Sequence, residues 1–304
     1  MQTSPELTVK PSVRALLSGV VDYAGLFPPA GLSMPEAVIN YATYRNSNYN
    51  WMLGRFVVTA ARLDEFYESA KDFISRDAGN EWRVAVVIGD DPVLAINHAK
   101  EFNKANGPGV VCDVLEIKAD SRGTIENAAA SVGQDMTAYF ELGLNDELPE
   151  MVSTLAVQKQ RAKIRTGGIT SDAFPKTDDI VRFVKTCLAA NVPFKATAGL
   201  HHPIRCFRPL TYEENSPTGT MHGFLNLFLM TGFAIEGFRG SLLEDVMEDE
   251  FDEVFKFDEQ TVTWRDEYSL NLWQLERLRK IGIQSFGSCS FDEPVTDLQK
   301  LGIL

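Results

Sequence analysis

Eight short runs rich in β-branched and other apolar residues alternate along this chain with stretches of helical periodicity, and that alternation leaves few folds open. The runs are Gly19 to Ala24, Arg55 to Thr59, Arg83 to Gly89, Asp113 to Lys118, Thr137 to Gly143, Ala162 to Gly167, Pro193 to Gly199, and Ile283 to Ser288. Parallel strands joined by crossover helices read this way, and eight such units predict an α/β fold, a closed (β/α)8 TIM barrel. An open doubly wound sheet fits less well, because no Gly-x-Gly-x-x-Gly fingerprint follows an early strand. Helix starts are written into the connections: Ser33 with Glu36 forms a capping box, and Thr177 precedes Asp178 and Asp179. In the latter helix Ile180, Val184, Cys187 and Leu188 recur on one face, and Asn191 is placed to stop it.

The spacing breaks once, where about 80 residues stand between the seventh and eighth runs instead of one helix and its loops. A single domain over residues 1–304 with an insertion over about 203–268 accounts for this. Because the insertion leaves the C-terminal end of a barrel strand, it is expected to act as a lid over the mouth or as an interface subdomain. Within it Met221 to Phe238 is almost wholly apolar, with His222, Asn226 and Glu236 as its strongly polar members. Its three glycines and its lack of basic flanks argue against a membrane span, leaving a buried helix or the subunit interface of a homo-oligomer. An acidic helix from Leu242 to Phe255, a hairpin around Asp258 and Glu259, and an amphipathic helix from Leu270 to Lys280 are expected to follow, with Trp264 and Trp273 forming a small local core.

The formal net charge of −13 repels phosphate backbones and anionic lipids, so neither nucleic acid nor a membrane is expected as a partner. The four cysteines are dispersed and include no Cys-x-x-Cys pair, which argues against a zinc cage or a disulfide framework and for a reducing cytoplasm. Met1 to Lys10 is polar and contains Glu6, unlike a signal peptide.

Strand alternation makes the interior of the barrel unusual. If Ile164 faces the helices, Lys163 and Arg165 face inward; outward Phe194 and Ala196 send Lys195 and Thr197 inward. By the same parity Leu115 and Ile117 leave Glu116 and Lys118 inside, joined by Glu141 and Asp22. Buried charges are normally paired, so part of this set reads as structural ion pairs. As a whole it is costly enough to imply a function, and lysines crowded by one another and by Arg165 are expected to have depressed pKa values. A neutral amine so produced attacks carbonyls to form a Schiff base.

These residues also resemble a family. Lys163-Ile-Arg-Thr166-Gly167 is similar to the Lys-x-x-Thr-Gly motif of the deoxyribose-phosphate aldolases, and Lys195-Ala-Thr-Ala-Gly199 to their following Lys-Ala-Ser-Gly-Gly strand. Weaker echoes lie at Val21 to Pro28, at Phe140 to Leu144 and at Gly287 to Ser290. The resemblance implies a class I aldolase-like lyase in which Lys163 is the Schiff-base nucleophile, Lys195 the ammonium beside it, and Glu116 a proton shuttle. It also implies an anion site lined by Gly167, Gly168, Gly199, Ser288 and Ser290. Arg165 replaces a small residue beside the nucleophile position, which puts the deoxyribose-phosphate substrate itself in doubt; Arg165 suits an anionic group on some other small molecule.

Alternatives from other classes share these features. A basic interior with Gly-rich strand ends also suits phosphosugar isomerisation or phosphoribosyl transfer without a covalent lysine, and a non-catalytic ligand-binding barrel would have Arg165 locked to Glu141 with no cavity beside Lys163. His201 and His202 follow the seventh strand; one is expected to face the site, for acid or base work, and the other to pack or cap the loop. No metal and no cofactor are assigned. Gly25 to Ala30 is expected to form a rigid turn at the end of the first strand.

Overall fold

The computed structural model describes residues 9–304 except Arg76 and Ala78. Strands β1 (Val21–Tyr23), β2 (Leu53–Thr59), β3 (Trp82–Ile88), β4 (Val110–Ala119), β5 (Thr137–Leu142), β6 (Arg161–Arg165) and β7 (Phe194–Thr197) pair in parallel in sequence order. After β8 (Cys206–Pro209), β9 (Thr218–Met221), β10 (Phe255–Phe257), β11 (Thr261–Trp264) and β12 (Tyr268–Asn271), strand β13 (Ile283–Ser288) pairs with both β7 and β1 and closes an eight-stranded barrel. All eight expected strands are present, and the (β/α)8 fold holds.

The parity that turns charges inward is visible in the packing. Leu115, Ile117, Ile164, Phe194, Ala196 and Phe286 belong to the core between strands and helices. A separate small cluster of Val57, Ala85, Val114 and Tyr139 fills the barrel's own interior. The N-terminal end of the barrel is plugged by polar side chains: Arg55 Nε lies 2.7 Å from Asp113 Oδ1, and Arg161 donates to the Tyr139 hydroxyl at 2.9 Å and to Gln284.

The helix Met34–Arg45 begins with the Ser33–Glu36 capping box, and helix Thr177–Ala189 is followed by Asn191 at φ 54°, the left-handed stop its position suggested. The apolar run forms the helix Phe224–Ile235, whose residues from Phe224 to Phe233 are buried within the subunit. Phe224 stacks on Phe286 of β13 with ring centroids 4.8 Å apart, and the helix Ser241–Glu248 packs against the same helix. The three polar members each find a partner: Asn226 within the insertion, His222 Nε2 at the Pro175 carbonyl at 2.9 Å, and Glu236 at Arg277 at 2.9 Å, although the buried Nδ1 of His222 has none among the described residues. Of the two readings its composition left open, the buried helix is the one seen, since the chain covers its own apolar run. No helix among the described residues is long and apolar enough to cross a membrane.

The acidic helix stops at Glu248 instead of continuing to Phe255, because Asp249 turns inward to accept from Trp264 Nε1 at 3.0 Å and Arg265 Nε at 2.9 Å. The expected hairpin joins β10 to β11, with the Asp258 carboxylate accepting the amides of Gln260 and Thr261. Trp264 is buried, but Trp273 is 64% exposed and forms no core. Leu270 belongs to β12, and the closing helix runs Leu272–Ile281 behind its own Asn271–Gln274 capping box. Only the β8–β9 hairpin stands at the barrel mouth. The β10–β12 sheet reaches the helix Pro11–Leu17 at the opposite end, where Lys10 Nζ donates to the Phe257 carbonyl at 2.9 Å. Most of the insertion therefore runs down the flank of the barrel, and the β8–β9 hairpin is the part of it that covers the mouth.

Candidate functional site

Six of the inward charges form one continuous chain across the interior. Lys195 Nζ lies 2.5 Å from both Asp22 Oδ2 and Glu116 Oε1; the other oxygen of Glu116 lies 2.7 Å from Lys163 Nζ. Lys163 Nζ is also 2.9 Å from Glu141 Oε2, and Glu141 Oε1 is 3.2 Å from Arg165 Nε. Three carboxylates face three cations. Asp22 is held further by Ser285 Oγ and by the Arg55 amide, each at 2.8 Å.

This arrangement corrects the expectation of depressed lysines for Lys195. Burial works against its charge, yet the Asp22 and Glu116 carboxylates raise its pKa above the ordinary lysine value. The ammonium groups do not crowd each other unshielded, because Glu116 bridges them with one oxygen on each. Burial alone would raise the Glu116 carboxyl, but Lys163 and Lys195 outweigh it and hold it at about 2. Glu141 is likewise held below the usual carboxylate range, its burial outweighed by Lys163 and Arg165.

Above this chain opens a cavity of about 630 Å³ at the C-terminal mouth, the face where barrel loops build sites. Lys163, Glu116 and Glu141 line it; Lys195 and Asp22, each 1% exposed, lie beneath its floor. Arg165 and Lys118 reach the rim, where the Arg165 side chain is 56% exposed. Arg165 therefore pairs with Glu141 on the neighbouring strand without filling the space beside Lys163. A larger open depression of about 760 Å³ lies outside the barrel, lined by residues of helices Leu148–Val157 and Thr177–Ala189, and none of the interior charges faces it.

The glycines of the two lysine strands have a steric reason. A β-carbon on Gly167 would stand 2.5 Å from the Phe174 ring and 2.9 Å from Gly199 Cα, so the ends of β6 and β7 pass each other only as glycines. Thr166 Oγ1 donates to the Ala198 carbonyl at 2.7 Å and helps fix Ala198 at φ 62°, a strained conformation on the cavity wall. Gly167, Gly168 and Thr197 line the cavity, while Gly199 serves this crossing.

Ser288 and Ser290 lie outside the lining. Phe286 faces the helices, so alternation carries Gly287 and Cys289 to the cavity instead. Ser290 Oγ accepts the Glu293 amide at 3.2 Å, close to the start of the last helix, Asp292–Lys300. The hydroxyl-lined anion site expected at the eighth strand is thus corrected by one step of parity, and Cys289, absent from the expected site, takes its place.

The adjacent histidines part as expected. His201 lines the cavity with Nδ1 3.1 Å from Glu293 Oε2 and 3.9 Å from Cys289 Sγ, while His202 Nδ1 pairs with Asp297 Oδ2 at 2.6 Å. Burial disfavours the charged His201 ring, but Cys289 and Glu293 outweigh it and push its pKa up to about 9. Tyr212, from the loop between β8 and β9, donates to the same Glu293 oxygen at 2.9 Å. These partners come from segments distant in sequence and carry no local signal. Phe27 and Pro28 of the first loop also line the cavity, so that turn contributes wall as well as rigidity. Among the described residues no group of three or more His, Cys, Asp or Glu side chains is arranged to hold a metal ion.

No family model matches this chain, and no curated protein matches it in sequence.

Proposed function

We propose that the protein is a lysine-dependent enzyme of the class I aldolase type, a lyase acting on a small anionic carbonyl compound. One observation carries this reading: of the two lysines buried in the barrel, Lys163 has a face on the cavity, and Lys195 is sealed beneath it in ion pairs. Lys163 Nζ gives a proton to a carboxylate, attacks the carbonyl carbon, and forms a carbinolamine whose oxygen leaves as water once protonated, giving the imine. Two carboxylates touch Nζ, but the Glu141 side chain is 19% exposed and that of Glu116 only 4%. Proton exchange with water therefore falls to Glu141, and Glu116 holds the two lysines in place. Lys195 keeps its charge throughout, and the protonated His201 supplies a further acid on the cavity wall.

The test is incubation with small aldehydes and 2-oxo acids, reduction with borohydride, and mapping of adducts by mass spectrometry. The expected adduct is on Lys163 and disappears in Lys163→Ala. A second reading, in which the barrel binds an anion without a covalent step, draws on the two carboxylates that hold Lys163 Nζ. Ligand binding with no adduct from any carbonyl selects it.

A further inference from the structure

The cavity has two unlike halves. The strands and loops of β4 to β6 supply Glu116, Lys118, Glu141, Lys163 and Arg165, whereas those of β1 to β3 supply Phe27, Pro28, Val57, Val87 and Ile88, with no charged side chain. A ligand that fills this space meets an apolar wall at one end and, at the other, Lys163, Arg165 and Lys118 with the carboxylates of Glu116 and Glu141 between them, while Thr197, His201 and Cys289 line the remaining side. Among the described residues Arg165 uses only Nε, on Glu141, so its two terminal nitrogens remain for an anion, and Lys118 makes no ion pair.

Lys163 and Arg165 stand two residues apart on one strand, so their side chains leave the same face about 6.6 Å apart. An amine and a guanidinium so spaced suit a carbonyl with an anionic group only a bond or two away. Sugar hydroxyls placed against Val57 and Val87 would lose water without gaining partners, and of the residues expected to serve a phosphate Gly167 and Gly168 line the cavity while the Ser288 and Ser290 hydroxyls lie outside it. We infer that the substrate is a 2-oxo acid with an apolar side chain, its carboxylate at Arg165, its carbonyl at Lys163 and its tail against Phe27, Val57 and Val87, and not a phosphorylated sugar. The inference rests on the Lys163 reading for the role of the carbonyl.

Binding is measured by calorimetry with 3-phenyllactate, which has the carboxylate and tail but no carbonyl, against glycerol 3-phosphate. Phenyllactate is expected to bind at least tenfold more tightly. Val87→Asn, or Phe27→Ser should that variant fold poorly, is expected to weaken phenyllactate at least fivefold with little change for glycerol 3-phosphate. Equal or tighter binding of glycerol 3-phosphate, or no binding of phenyllactate, overturns the inference. Phenylpyruvate with borohydride then separates the two claims: tight phenyllactate binding without a Lys163 adduct defeats the covalent reading alone, and a Lys163 adduct from glyceraldehyde 3-phosphate in preference to phenylpyruvate defeats the substrate class alone.

Discussion

Glu116 is the residue on which the interior charges depend, because it is the one carboxylate that touches both lysines. A glutamine there keeps one acceptor and turns an amide NH₂ toward an ammonium, leaving one lysine short of a partner. Removing one member of a buried ion pair costs about 3–5 kcal/mol. Glu141 touches Lys163 from a more open position, where water replaces part of what is lost, and its removal is expected to cost no more than about 1–2 kcal/mol. Urea denaturation of Glu116→Gln and Glu141→Gln should therefore rank the first well below the second; equal midpoints would show that Glu116 is not the bridge. The inward placement of these groups was legible because each is flanked by residues suited only to the helix side, such as Leu115 and Ile117 around Glu116. Their pairing was not, since alternation gives the face of a side chain but not which neighbour across the barrel its oxygen meets.

Among the elements, the helix Phe224–Ile235 most clearly separates local from non-local information. Its apolar sequence marks it as buried, but what covers it comes from the helix Ser241–Glu248 and from β13, which periodicity cannot identify. Asn226 sets its position. Its Nδ2 donates to the carbonyls of Val246 at 2.7 Å and Asp249 at 2.8 Å, and its Oδ1 accepts the Arg205 amide at 2.9 Å. A leucine of similar volume would leave those three backbone groups without this partner in an apolar setting, at about 1–3 kcal/mol for each group that finds no water. Asn226→Leu is expected to lower stability by about 3 kcal/mol or more and to expose the Glu236–Arg265 segment to limited proteolysis, whereas an unchanged urea midpoint would mean that packing alone fixes the helix. The early end of the acidic helix has the same kind of cause: Asp249 is claimed by Trp264 and Arg265, and nothing within residues 242–255 announces it. On β13 the signal was present. Phe286 fixed the parity, and it favoured Cys289 over Ser288 for the cavity.

For the molecule as a whole, the barrel was legible because eight alternating units admit few closures, while the course of the insertion was not, because its sheet docks on the N-terminal helix far away in sequence. The same long-range contacts make stability depend on pH from two sides. The carboxyl of Glu116, held at about 2 in the folded chain, contributes stability that is present above its unfolded value near 4.5 and is lost as pH falls toward 2. His201 acts in the opposite sense. Its folded pKa of about 9 lies above the ordinary 6.5, so its contribution is complete below pH 6.5 and is lost as pH rises through 9. The groups facing it are Glu293, Cys289 and Tyr212, and Glu293 is the carboxylate that loses a cation when the ring gives up its proton. Wild-type protein should therefore have its highest thermal midpoint between about pH 5 and 6.5 and lose on the order of 3 kcal/mol from this pair by pH 9. His201→Gln, which cannot be protonated, should start lower at pH 6 and show a much shallower decline between pH 6.5 and 9, so that the two curves converge at alkaline pH. Parallel curves over that window would mean that the alkaline loss arises elsewhere and that His201 is not the group linking the cavity wall to the last helix.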